Sequence, residues 1–349
     1  MRLWGTGAVL TLLIAGGGVS LHLPARPGAA TEYFRVDSGQ SFTAVEARLA
    51  RGGIVSFRGP LSIWARVTGK DTQIHPGTYE LSAAQTPLEI LHTLVSGDMI
   101  LKRVTIPEGF TQAQILERLQ AELPLSANDL AAAAADGQWM QSLGIPGPSL
   151  EGYLFPETYL FDPSSSAREV LGTMVRTCLA HLEGARRSRA VELGMSDHAL
   201  LTLASIIELE AAVDDERARI SAVYHNRLRQ NLLLQADPTV AYAAGRIGER
   251  LTSQDLGVDS PFNTYQHAGL PPGPICSPGL ESVDAALWPL VGCADLYFVA
   301  RGDGTHIFSR SLEQHNRARA QIEASKRPPP SSKAKATKPR SRGARRKRR

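Results

Sequence analysis

From Leu200 to Ala211 the chain reads Leu-Leu-Thr-Leu-Ala-Ser-Ile-Ile-Glu-Leu-Glu-Ala, apolar at almost every position and free of Gly and Pro. Such a run predicts a helix, with Ser196 or Asp197 capping its start. Apolar residues on every side exclude a surface location, so the rest of a domain must be built around it. Two carboxylates fall in its last turn. Glu208 and Glu210 are two positions apart and project to roughly opposite sides. Glu210 extends the row of Leu203, Ile206 and Ile207, so its carboxyl leaves from the most apolar face. A helix C-terminus also disfavours negative charge. Desolvation and dipole together push the Glu210 pKa upward, as a proton donor working near neutral pH requires. The competing reading has one glutamate solvated at the helix end and the other in a salt bridge.

The start of the chain sets a second constraint. Leu3–Leu23 contains no Asp, Glu, Lys or Arg and is close to the ~20 residues that span a bilayer as a helix. An uncleaved anchor is favoured over a removable signal peptide ending at Gly28-Ala29-Ala30. Either way the bulk of the chain is expected outside the cytoplasm. The far end is different again. Of the 38 Lys and Arg residues, 12 lie between Lys326 and Arg349, where no acid occurs. The remainder carries 26 basic against 34 acidic residues, so the net charge of +4 belongs to the tail. A nucleic-acid-binding core is therefore not indicated. The tail, with Pro328-Pro329-Pro330 and its Ser/Lys/Ala run, is expected to be disordered.

Three cysteines, Cys178, Cys276 and Cys293, form no CxxC pair, and a Cys276–Cys293 bridge is left open. There is no HExxH and no GxSxG, which removes most of the case for a metalloprotease or serine hydrolase.

Between these ends the pattern predicts an α+β chain. Strand at Glu32–Val36, helix at Ser41–Ala50, turn and strand within Gln73–Leu81 and helix at Thr86–Val95 make a compact α+β module over residues 32–103. A second unit, residues 104–324, opens with Thr111 as cap and Gln114 completing a capping box, followed by an Ala-rich helix at Ser126–Asp136. Glu151–Phe161 concentrates four aromatics and two acids around Gly and Pro, suiting either a saccharide groove or an aromatic packing hinge. Past the apolar helix, Asp214-Asp215-Glu216 starts a helix that delivers Asn226-Arg227-Leu228. Asp237 is placed to cap a helix at Thr239–Ala244. Two stiff loops follow, Asp259–Tyr265 and Gly269–Gly279, and a hairpin of Leu296–Ala300 with Gly304–Phe308 leads to a closing helix.

Taken in order, Glu151–Phe161, Ala204–Glu210, Asn226-Arg227-Leu228, Gln235–Thr239, Phe262–Tyr265, Gly269–Gly279 and Tyr297–Asn316 give a chain that resembles the MltG (YceG-like) family over roughly residues 31–324. These are endolytic murein transglycosylases of the bacterial inner membrane. The resemblance implies an N-terminal transmembrane anchor (residues 1–31), a LysM-like module and a mixed helical/β catalytic domain resembling lytic transglycosylases. The phrase Pro76–Leu81 followed by Pro87–Leu91 carries the LysM likeness, against which stands a plain rigid spacer. The catalytic glutamate of the family is the second of its Ser-Ile-Ile/Val-Glu-x-Glu motif, which falls on Glu210. Leu209 stands where the family usually has Lys, His225 replaces a commonly apolar residue, and the tail lies outside the resemblance.

The implied reaction needs one acid and no cofactor or metal. Glu210 protonates the β-1,4 oxygen between N-acetylmuramic acid and N-acetylglucosamine, and the C6 hydroxyl attacks from within to give a 1,6-anhydro end. Glu157, Asn226, Gln235, Asp237, Asn263 and Tyr265 are candidate sugar contacts, each also able simply to organise its own loop. Expected partners are peptidoglycan strands, the membrane and proteins of wall synthesis, with no nucleic acid. The rivals are a non-catalytic glycan-binding scaffold and a muramidase using Glu208 or Asp237 as second carboxylate.

Overall fold

Thr31–Val36 (β1) and Gly77–Ser82 (β2) pair antiparallel in the computed structural model, which describes residues 19–326. Two helices, α1 (Phe42–Arg51) and α2 (Pro60–Val67), lie between them, and α3 (Pro87–Ser96) follows. Ser41 caps α1 by accepting from the Ala44 amide, and Thr86 with Glu89 forms a full capping box on α3. The period-2 and helical stripes meet in one core of Phe34, Val36, Val45, Leu49, Tyr79, Leu81, Ile90 and Leu94. Helix α2 has no counterpart in the sequence reading. Gly59-Pro60 looks like a break, yet Pro60 sits at the start of the helix, where its missing N–H costs nothing.

A second core is separate from the first. It begins with β3 (Lys102–Thr105), antiparallel to β4 (Thr158–Phe161), and with α4 (Gln112–Glu122), α5 (Ala127–Ala134) and α6 (Gly137–Ser142) between them. Thr111 and Gln114 form the expected capping box. The Ala-rich helix stops at Ala134, because Asp136 turns to cap α6 through the Trp139 amide at 3.0 Å. The aromatics of Glu151–Phe161 are buried: Tyr153, Phe155, Tyr159 and Phe161 all belong to the core. Of the two readings of this stretch, the packing one describes it.

Then come α7 (Ala167–His181), α8 (Ala185–Glu192), α9 (Asp197–Glu210), α10 (Asp214–Arg229), α11 (Asp237–Ala243) and α12 (Leu280–Leu287). A hairpin of β5 (Tyr297–Ala300) and β6 (His306–Ser309) and helix α13 (Leu312–Lys326) complete the described residues. Helix α9 is central. Every residue from Leu200 to Ile207 is buried, and α8, α10, α11 and α12 all pack against it. The two units touch where Arg35 and Thr78 meet Ser164, with Thr78 Oγ1 2.7 Å from Ser164 Oγ.

The cysteines are free thiols, so the Cys276–Cys293 bridge does not form. Cys276 donates to the Ser205 carbonyl and Cys293 to Asp295, in different surroundings. Among the described residues no single helix is long and apolar enough to cross a membrane. The expected anchor lies mostly outside the described residues, as does the basic tail beyond Lys326; its expected end at Leu23 is corrected, since residues 21–23 form a turn and Leu21 packs into the first core.

Candidate active site

Helix α9 is stitched to the loop beside it. Ser205 Oγ accepts from the Ile275 amide at 3.0 Å, and His198 Nε2 donates to the Pro272 carbonyl at 2.8 Å. Gly152 closes the other side. Its φ is +79°, and a Cβ there would lie 2.3 Å from the Pro274 ring. The Gly269–Gly279 loop is thus pinned along the length of α9.

The two glutamates part company at the helix end. Glu208 Oε2 receives Arg217 Nη1 at 3.2 Å and the Gly279 amide at 3.1 Å, with both side chains largely buried. Glu208 is the ion-paired residue, tying α9 to α10 and to the loop. Glu210 has no ion pair among the described residues. Tyr224, buried on α10, donates its hydroxyl to Glu210 Oε1 at 2.8 Å, while Oε2 has no hydrogen-bond partner among the described residues. Burial pushes the Glu210 pKa up to about 7, and the negative charge of Asp237 adds to the rise. The Tyr224 hydrogen bond and the Arg227 charge oppose it without cancelling it. A partly exposed acid with a pKa near neutral and one open oxygen is equipped to give and retake a proton.

Other expected residues gather around it. Asp237 is exposed in the first turn of α11, and its Oδ1 accepts the Tyr265 hydroxyl at 2.5 Å. It does not cap α11: the cap position is Ala236, and Asp237 is already helical. Glu210 feels the charge of Asp237, and Tyr265 feels that of Glu210. Gln235 is exposed, in left-handed backbone at φ 50°, and accepts from Arg227 Nη1 at 3.3 Å. Arg227 is buried, donates to the carbonyls of Leu296, Leu233 and Leu234, and lies over the Tyr297 ring. It therefore fixes the Gln235–Asp237 turn while placing a positive charge behind the acid.

The two asparagines are spent on backbone carbonyls. Asn226 Nδ2 donates to the carbonyls of Cys293 and Asp295 at 3.0 and 2.9 Å. Asn263 Nδ2 donates to Leu256 and Val258, and its Oδ1 accepts from the Tyr265 amide at 3.0 Å. Both are buried loop organisers. Glu157 is exposed beside β4, where its carbonyl pairs with the Ile106 amide, and no contact joins it to the Glu210 group among the described residues.

Three further residues matter. Tyr224 is buried on α10 beside Ile220 and Val223; the signal is its hydroxyl, which needs a partner once buried. Arg217 neutralises Glu208 and so distinguishes the two glutamates. Glu151 is a second buried acid with a pKa raised by burial to about 7. It accepts from the Gln112 amide at 2.8 Å and from the Tyr242 hydroxyl at 3.2 Å, joining α4 to α11. Finally, the β5–β6 hairpin clamps the α9–α10 junction. His306 meets Glu216 twice, its ring at 2.7 Å and its amide at 3.1 Å, and Phe298 stands edge-on to Tyr224.

The YceG-like family model matches residues 34–321. An endolytic murein transglycosylase of Bacillus subtilis is 33% identical over 336 residues, covering 90% of this chain and 92% of that protein. One from Streptococcus pneumoniae is 27% identical over 314 residues, covering 81% of this chain and 56% of its own longer sequence. A crystal structure of a YceG-like protein from Listeria monocytogenes aligns with a TM-score of 0.58 at 33% identity, over 83% of this chain and 100% of that one.

Proposed function

This chain belongs to the YceG-like family, and from that premise we propose that it is an endolytic murein lytic transglycosylase with Glu210 as its single acid–base group. The observation that carries the reading is the contrast at the end of α9: Glu208 is neutralised by Arg217, whereas Glu210 is desolvated, unpaired and raised to about 7. The protonated Glu210 gives its proton to the β-1,4 oxygen leaving N-acetylmuramic acid. The carboxylate then takes the proton of the C6 hydroxyl as that oxygen closes on C1, leaving a 1,6-anhydro end. Because the nucleophile belongs to the substrate, no second side-chain nucleophile is needed. Tyr224 holds the carboxyl in place, and Asp237, Gln235 and Tyr265 offer polar groups to the sugars.

The acidic group closest in electrical terms, Asp237, favours one alternative, a muramidase in which Asp237 activates water. Product mass separates the two. Purified glycan strands incubated with the protein give anhydro ends one water lighter than hydrolysed ends, and hydrolysed ends alone would assign the chain to the muramidase class. No cleavage at all would favour the scaffold reading.

The same proposal places the chain on the bacterial inner membrane through the part of the charge-free N-terminal stretch that precedes Leu21, with Glu210 on the extracytoplasmic side. The α+β module around β1 and β2 then serves as a LysM-like glycan reader on the strength of its Pro76–Leu81 phrase. Proteins of wall synthesis are its expected neighbours.

A further inference from the structure

Helix α2 buries only Leu61 and Ala65, one turn apart. Its other apolar side chains point outward: Ile63 is 67% exposed, Trp64 43% and Val67 78%, and Phe57 in the preceding turn is 65% exposed. This face is rigidly mounted. The buried Glu46 carboxylate accepts the amides of Gly59 and Leu61 at 2.9 and 3.0 Å and the Ser62 hydroxyl at 2.5 Å, fixing the helix start. At the other end the Lys70 amide donates to the Ala65 carbonyl at 2.7 Å. Four exposed aromatic and aliphatic side chains within eleven residues on so firm a base mark an interaction surface.

Two features of the chain identify the partner. First, the face is basic as well as apolar. Arg58 and Arg66 line one shallow hollow together with Ile63 and Val67; Arg58 has no ion pair among the described residues, and Arg66, 77% exposed, has only a 3.9 Å contact with Asp71. Second, the charge-free stretch Leu3–Leu23 runs into the module beside this face. Leu21 is buried in the module core, and Ser20 and Leu21 share a small hollow with Phe57, Pro60 and Leu61.

We propose that the Phe57–Val67 face docks on the surface of an anionic lipid bilayer. Phe57, Ile63, Trp64 and Val67 enter the boundary between headgroups and acyl chains, and Arg58 and Arg66 engage lipid phosphates. Indole rings and aliphatic side chains rimmed by arginine favour that depth, and guanidinium groups match phosphate geometry. The inference rests on the anchor reading above, since the anchor brings the bilayer to the side of the module where Leu21 and Phe57 meet. Docking adds what an anchor alone lacks, a fixed orientation. Through the Arg35 and Thr78 contacts with Ser164, that orientation extends to the catalytic unit.

The test uses the full chain reconstituted in phosphatidylglycerol/phosphatidylethanolamine vesicles containing lipids brominated at shallow or deep acyl positions. Subtracting the emission of Trp64→Phe isolates Trp64, and subtracting that of Trp4→Phe isolates Trp4 within the anchor. We expect Trp64 to be quenched more by shallow than by deep bromines, and to lose that quenching in Ile63→Ser/Val67→Ser with glycan cleavage in detergent unchanged. Unquenched Trp64 beside quenched Trp4 would overturn docking and leave the anchor standing. Quenching of Trp64 alone would support docking and overturn the anchor, and quenching of neither would overturn both. A Trp64 emission that responds to soluble glycan strands and not to brominated lipid would give the face to saccharide and overturn the proposal.

Discussion

Tyr224 donates its hydroxyl to Glu210 at 2.8 Å, across the turn that joins the two helices carrying them. The bond stabilises the carboxylate and so restrains a pKa that burial has raised to about 7. Tyr224→Phe should therefore raise that pKa further and move the alkaline limb of the cleavage rate upward. A hydrogen bond to a charged group is worth about 1.5–3 kcal/mol, which corresponds to roughly one to two pH units. Initial rates of glycan cleavage across pH check this, and an unmoved limb would remove Tyr224 from the acid's control.

Stability should respond oppositely at the two glutamates. Glu208→Gln removes the buried countercharge of Arg217 and leaves it only the exposed Asp214 at 3.1 Å, at an expected cost of about 1.5–3 kcal/mol. Denaturant unfolding of the variant measures it, and a loss under about 1 kcal/mol would contradict a structural ion pair there.

Glu210 instead burdens the fold at neutral pH. Its pKa in the folded protein, about 7, lies above the ordinary value of 4.5. The folded state thus holds the extra proton between those values, and stability falls as pH rises through that window. Glu210→Gln removes this dependence. The variant should melt above the parent at pH 8, by an amount on the order of 3 kcal/mol at most, and the gap should close toward pH 4.5. A gap that does not change with pH would refute the raised pKa.

Gly152 is placed where no other residue fits. Gly152→Ala combines left-handed backbone with a Cβ 2.3 Å from Pro274. Displacing the Gly269–Gly279 loop should destabilise by about 2 kcal/mol or more and lower cleavage with it. Thermal melting and activity should fall together; a normal melt would show the loop to be freely movable.

Beyond the described residues, the tail from Lys326 to Arg349 joins 12 basic residues to a body with more acids than bases. Near an anionic surface each contributes on the order of 1 kcal/mol, within a Debye length of about 8 Å. Deleting the part beyond Lys326 should weaken salt-sensitive binding to anionic vesicles and leave cleavage in detergent unchanged. Equal binding at low salt would make the tail a passive end.

The position of Glu210 was legible because helical offsets from Leu203, Ile206 and Ile207 aim it at the core side, and the cap at Ser196 fixes the phase. Its partner was not, since Tyr224 lies beyond a turn whose angle no local pattern encodes. For the same reason the sequence left open which glutamate is ion-paired; Arg217 decides that from the next helix. Asn226, Asn263 and Asp237 look alike as polar residues near stiff loops. Burial alone separates the two that hold the scaffold from the exposed one whose charge reaches Glu210. Helix α2 escaped notice because its start is stabilised by Glu46, thirteen residues before Gly59.

The central claim is that one carboxyl performs both proton transfers, and Glu210→Gln tests it most directly, because the amide keeps the shape and loses the proton. The rate of glycan-strand cleavage by the variant, read beside its melting curve, should fall by about 10²–10⁴-fold or more while the protein stays folded. Cleavage within about tenfold of the parent by a folded variant would contradict the account and move the acid elsewhere.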